Sequence, residues 1–208
     1  MLLKKWVLQL AQLRCSVRQC HIPVNSFSKM GVLNKTCCYL IGHMQYVTDG
    51  QDWRTEVKTR LNSLNVSFFD PYQKPFVDDV QEGENTYQRI QELLKAAQYD
   101  DVERIFKKVR IYDLKCVDIS DFVICHIQPK VASWGTAEEL SWACRLKRPT
   151  FISIEGGKQL CPYWLFGMFP HKYFYNSVDE IITTLEKIDS GSIKIDSERW
   201  KLLKPEFR

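Results

Sequence analysis

The chain has 208 residues, 45% of them hydrophobic and 12% aromatic, enough for one domain with a real core and marginal for two. Charged residues make up 26%, the ordinary share of a globular protein. The net charge of +4 sits at the front: the first 36 residues hold six Lys or Arg and no acid, so the remainder sums to −2. That balance argues against a nucleic-acid duplex as partner and leaves a small anionic ligand open.

Residues 1–35 read as a basic N-terminal extension, expected to be poorly ordered. Leu3, Val7, Leu10 and Leu13 stand near helical spacing in an acid-free stretch, a composition that also suits an organellar transit peptide. Lys4, Lys5, Gln9 and Gln12 interrupt the apolar run, so it is neither a secretory core nor a membrane span. An unstructured extension, or an upstream start codon with the working start at Met30, is the plainer reading. The eight cysteines include no C-x-x-C pair, and the four histidines are scattered, so neither a metal site nor a cofactor is expected. Cytoplasmic residence is the default, with an organelle as the alternative if the extension is a transit peptide.

From residue 36 short apolar runs alternate with helix-period segments. Cys37–Gly42 reads as a first buried strand, followed by a helix from Asp52, its expected N-cap, with Trp53, Val57, Leu61 and Leu64 on one face. Val66–Phe69 reads as a second strand, ended by Asp70-Pro71, with a long exposed loop over 71–84. Helices follow over about 85–97 and 101–118. Phe122–Ile127 is almost wholly apolar, as a parallel strand covered on both faces should be. A helix over 136–146, a strand at Thr150–Ile154 and a last helix over 177–188 complete the domain.

This alternation implies an α/β fold: one three-layer domain over residues 36–190 with an open, mainly parallel, five-stranded sheet of Rossmann or flavodoxin-like type. Residues 191–208 read as a tail. Ligands in such sheets bind beyond the carboxyl ends of the strands, which selects 42–49, 70–76 and 128–139. In the last of these, Ser133-Trp134-Gly135-Thr136 leads into a helix bearing Glu138 and Glu139. Gly135 suits a sharp turn and a close backbone approach, and the Ser133 and Thr136 hydroxyls with the helix start can hold an anion or a sugar hydroxyl. Glu139, one turn into the helix, is placed to attack an anomeric carbon. Alternatively, both glutamates merely complement the helix dipole.

Tyr39-Leu40-Ile41-Gly42, Trp53-Arg54, Asp113 with Asp118 and Asp121, and Gly135-Thr136-Ala137-Glu138-Glu139-Leu140-Ser141-Trp142-Ala143, in that order, resemble the nucleoside 2-deoxyribosyltransferase family, whose relatives include 2′-deoxynucleoside 5′-monophosphate N-hydrolases. The resemblance covers about residues 37–155. It implies cleavage of an N-glycosidic bond by base transfer or hydrolysis, with Glu139 as nucleophile and Asp113 holding the ligand and handling the base's proton. The logic is that of a retaining glycosidase, with a covalent glycosyl-enzyme. Where the transferases carry an aspartate for the free 5′-hydroxyl, the monophosphate hydrolases carry serine, and this chain has Ser133. A serine donates to a phosphate that a carboxylate would repel.

Gly42, His43 and Met44 would form the other side of the pocket, with Arg54 or His43 as phosphate contacts or in plain surface and capping roles. The family often has Gly where this chain has Ser141. The implied partner is a nucleoside or nucleotide rather than a membrane, and the implied assembly is a homodimer or higher homo-oligomer. The apolar run Trp164–Phe169 suits either an interface between subunits or ordinary core packing. Two other readings stay open: a non-catalytic nucleotide-binding module, and a glycohydrolase of a larger nucleotide.

Overall fold

The computed structural model describes residues 31–44, 50–74 and 82–194. The readings of residues 1–30, of the loop centres at 45–49 and 75–81, and of the tail beyond 194 therefore lie outside the described residues.

Five strands form one parallel sheet in the order β2-β1-β3-β4-β5: β1 Cys37–Gly42, β2 Ser67–Phe69, β3 Phe122–Ile127, β4 Thr150–Ile154 and β5 Phe174–Tyr175. The helices are α1 Asp52–Leu61, α2 Glu84–Lys95, α3 Tyr99–Ile119, α4 Trp134–Arg145, α5 Tyr163–Met168 and α6 Val178–Asp189. The expected α/β architecture is present, and every pairing in the sheet is parallel.

Alternation along β1 shows how the layers arise. Tyr39 and Ile41 join Val109, Tyr112, Cys116, Leu140 and Leu165 on the face covered by α3, α4 and α5. Cys38 and Leu40 join Trp53, Val57, Ile181 and Leu185 on the opposite face, under α1 and α6. Successive side chains of a strand point to opposite faces, so a central strand covered by helices on both sides must be apolar at every position. β1 meets that demand, and β3 does so except at the partly buried His126, whose Nδ1 lies 2.8 Å from Ser153 Oγ.

Several local expectations change. Asp52 is the first residue of α1 rather than its cap; Gln51 occupies the cap position without a capping side-chain bond. The α1 segment tightens after Leu61 into a 3-10 turn over Asn62–Leu64, closed by Asn65 in the left-handed region. By contrast α4 begins two residues earlier than its apolar periodicity indicated, because Ser133 caps it by accepting from the Thr136 N–H at 3.2 Å. The fifth strand is only Phe174–Tyr175, too short for an alternating pattern to mark. Leu33, ahead of the expected domain start at 36, is fully buried and donates its N–H to Asp189 Oδ1 at 2.8 Å.

The C-terminal apolar run divides. Leu165 and Phe169 are buried, whereas Tyr163 and Trp164 are 91% and 83% exposed, so core packing explains only part of it. Among the described residues no helix is long and apolar enough to cross a membrane.

Candidate active site

The sheet order reverses direction at β1, which has β2 on one side and β3 on the other. Crevices of parallel sheets open where the connections diverge to opposite sides. A cavity of about 540 Å³ lies there, lined by Gly42, His43 and Met44 after β1 and by the segment from Ala132 through Thr136 after β3. Pro71, Glu82 and Tyr87 contribute from the β2–α2 side, and Asp113 with Phe106 and Arg110 from α3. Its volume suits a small organic ligand, for which pockets of about 300–1,000 Å³ are usual.

Glu139 projects from the second turn of α4 into this cavity and is only 9% exposed. Tyr39 Oη, from the middle of β1, donates to Glu139 Oε1 at 2.5 Å. Strand alternation places Tyr39 on the α4 face of the sheet, which is why a residue so far away in sequence meets this carboxylate. Burial pushes the Glu139 carboxyl well above its usual range, and the nearby Asp113 charge adds to the rise; the Tyr39 hydroxyl acts the other way. Burial also raises the Tyr39 phenol, so Tyr39 remains a donor.

Glu138 has the opposite environment. Its carboxylate receives the Arg110 guanidinium, with Nε at 3.0 and 2.7 Å from Oε1 and Oε2 and Nη2 also on Oε1. This partly exposed pair ties α4 to α3. Both glutamates line the cavity, Glu138 as one half of an exposed ion pair and Glu139 as a buried carboxyl.

Asp113, on the inner face of α3, is 8% exposed and lines the same cavity. Lys74 Nζ lies 2.9 Å from its Oδ1 and 2.6 Å from Glu82 Oε1. Burial, followed by the Glu82 charge, raises the Asp113 carboxyl to about 7, while Lys74 opposes the rise. The site therefore contains two buried carboxyls whose ionisation is mutually linked: a charge on either one discourages a charge on the other. One can keep a proton while the other is ionised, the arrangement that acid-assisted nucleophilic chemistry requires.

The remaining expected site residues fall into two groups. Ser133 and Thr136 stand at the cavity wall, and the Ser133 hydroxyl donates to Thr136 Oγ1 at 3.0 Å. Gly135 also lines the cavity, but in the first helical turn and without a positive φ, so no sharp turn explains the glycine. A Cβ there would meet nothing within 4 Å; the missing side chain leaves open space at the wall. Met44 lines the wall too, and its carbonyl accepts from Tyr72 Oη at 3.4 Å.

Gly42, His43 and Arg54 hold the framework. A Cβ on Gly42 would lie 3.0 Å from the Trp53 ring and 3.1 Å from the His126 carbonyl oxygen. His43 reaches the Val131 carbonyl with Nε2 at 2.7 Å, while its Nδ1 accepts from the Gln128 N–H at 3.3 Å. Both ring nitrogens thereby tie the β1 loop to the β3 loop, and burial keeps the ring pKa low. Arg54 is fully buried and absent from the cavity lining. It donates through Nη1 to the Gly50 carbonyl and through Nη2 to the Gly42 carbonyl at 3.1 Å, with Asp70 Oδ1 3.8 Å from Nε. Its guanidinium is thus occupied in pinning the loop after β1, and the expected phosphate contact is corrected to this structural role. Asp118 and Asp121 are structural as well: Asp118 Oδ1 accepts from the Trp142 indole at 2.7 Å, and Asp121 Oδ2 from the Cys37 N–H at 2.8 Å.

Sequence reasoning missed Tyr39 as a partner of Glu139, and it missed Lys74 and Glu82 altogether. Strand alternation could have found Tyr39. Nothing in the residues around Lys74 marks it as a buried cation.

The chain matches no family model and no curated protein. Among solved structures, similarity was found to the CMP N-glycosidase BcmB of Clostridium botulinum, at 13% identity and a TM-score of 0.40 over 72% of this chain and 98% of that one. It was also found to a 2-deoxyribosyltransferase of Bacillus psychrosaccharolyticus, at 15% identity and a TM-score of 0.46 over 70% and 90% of the two chains.

Proposed function

We propose that the chain is an N-glycosidic-bond enzyme that takes a nucleoside or its 5′-monophosphate, with Glu139 as nucleophile and Asp113 as proton donor to the departing base. The observation that carries this reading is the pairing of buried Glu139 with the Tyr39 hydroxyl at 2.5 Å, on the wall of a cavity it shares with Asp113. The motif resemblance names the same two carboxyls on independent grounds.

In the first step Glu139 adds to C1′ as the C1′–N bond breaks, and the base takes a proton as it departs. Water or a second base then displaces Glu139 from C1′. Tyr39 holds the carboxylate in line and favours its ionised form. The 5′ end of the sugar lies against the first turn of α4, where the Ser133 and Thr136 hydroxyls and the positive end of the helix suit a phosphate. A 5′-monophosphate is accordingly the preferred substrate.

The test is to incubate the protein with each nucleoside and each 5′-monophosphate, with and without a free acceptor base, and to follow base release. Release from monophosphates in preference to nucleosides is expected. A preference for unphosphorylated nucleosides would remove the role given to Ser133. Ligands that raise the melting temperature without losing their base would indicate a binding module instead.

A further inference from the structure

The reaction as described leaves the buried cation beside Asp113 unused. Lys74 lies between β2 and α2 with its side chain wholly shielded, its ammonium between Glu82 Oε1 and Asp113 Oδ1. Tyr87 Oη stands 3.3 Å from the other Glu82 oxygen, Oε2, and the Tyr112 ring centre lies 5.4 Å from the ammonium. Glu82 and Asp113 line the cavity, while Lys74 stands behind them. A buried group of one ammonium and two carboxyls is neutral only when one carboxyl keeps a proton, and a net charge there is costly.

We propose that Lys74 and Glu82 are positioning residues for Asp113: Lys74 fixes one Asp113 oxygen, Glu82 makes the cluster retain one proton, and Asp113 passes that proton to the leaving base. The inference rests on the functional reading above and extends it to residues that reading does not use. As the Glu139–C1′ bond forms and the C1′–N bond breaks, the bonding pair goes to the base nitrogen and the Asp113 proton follows it. The cluster is then left with one net negative charge beside the Lys74 ammonium. In the second step water, or the N–H of an incoming base, attacks C1′ and displaces Glu139, and its proton returns to Asp113.

Among the described residues, few charged groups face Asp113. Glu82 and Lys74 come from the β2–α2 segment and Glu139 from α4. Tyr87 on α2, Tyr112 and Cys116 on α3 and Tyr39 on β1 are all pushed upward by burial and stay neutral. Glu82 and Lys74 act on the Asp113 proton in opposite directions, so their removal should move the pH profile oppositely.

The experiment is the pH profile of base release, with kcat and KM separated, for wild type, Glu82→Gln and Lys74→Met. Wild-type kcat should fall above a pH of about 7. In Glu82→Gln, Lys74 and Asp113 are neutral together without the extra proton, so this limb should move down by about one pH unit or more, with KM little changed. Lys74→Met should move it up; should that variant fail to fold, Glu82→Gln alone decides. A limb left in place by Glu82→Gln, or a kcat reduced equally at every pH, overturns the positioning roles while the enzyme reading stands. Absence of base release by the wild type overturns the enzyme reading, and the proton-donor role with it.

Discussion

Glu138 and Glu139 are neighbours in sequence with opposite environments, and their substitutions should separate accordingly. The Glu138–Arg110 pair is partly exposed, so Glu138→Gln should cost less than about 1 kcal/mol in urea unfolding. Tyr39→Phe removes the donor to Glu139 Oε1. Because that hydroxyl favours the ionised carboxylate, its loss should move the acid limb of the pH profile to higher pH. It should also lower kcat by about 10- to 100-fold, the value of a hydrogen bond to a charged group. An acid limb unmoved in Tyr39→Phe would mean that this bond does not set the ionisation of Glu139. Gly42 makes a packing prediction. A Cβ there meets the Trp53 ring at 3.0 Å and the His126 carbonyl at 3.1 Å, so Gly42→Ala should cost about 1–3 kcal/mol by overpacking, measurable in the same unfolding experiment.

At the scale of the elements, the strands and helices with strong patterns were legible and the short or loop-borne ones were not. The uninterrupted apolar run of β3 and the periodicity of α3 and α6 result from burial, so the sequence carries them directly. β5 has two residues and is defined by its partner β4, not by a pattern of its own. The start of α4 was set by the Ser133 cap, a local hydrogen bond that apolar spacing does not register. Site residues divide in the same way. Glu139 stood in a strand–turn–helix motif, whereas Arg54, next to Trp53 in the same helix, read equally well as a ligand contact. Its full burial and its bonds to the Gly42 and Gly50 carbonyls are tertiary features with no sequence pattern. Lys74 and Glu82 became visible only when the fold brought α3 against the β2–α2 segment, because long-range ion pairing has no sequence period.

The whole molecule accepts buried carboxyls at its cavity, and its stability should record that. Asp113 moves from an ordinary 3.8 to about 7 in the fold. The folded state therefore keeps a proton that the unfolded chain releases between those values. For this group stability is greatest below about 4, declines as pH rises towards 7, and is level above. Relative to Asp113→Asn, which cannot titrate there, wild type should lose unfolding free energy between pH 4 and 7. Parallel urea curves for the two proteins across that range would show otherwise. Under the proposed function this placement would let the two carboxyls divide the labour of nucleophile and proton donor: α3 and α4 cover one face of the sheet, and β1 supplies Tyr39 from beneath. The central claim is that Glu139 carries the sugar between the two steps. Its most direct test is to quench the protein during turnover of a 5′-monophosphate and map any pentosyl adduct by peptide mass. The account predicts an adduct on Glu139 in wild type, and in Glu139→Gln no adduct together with a loss of base release on the order of 10³-fold or more. An adduct on another residue, or undiminished base release by Glu139→Gln, would contradict it.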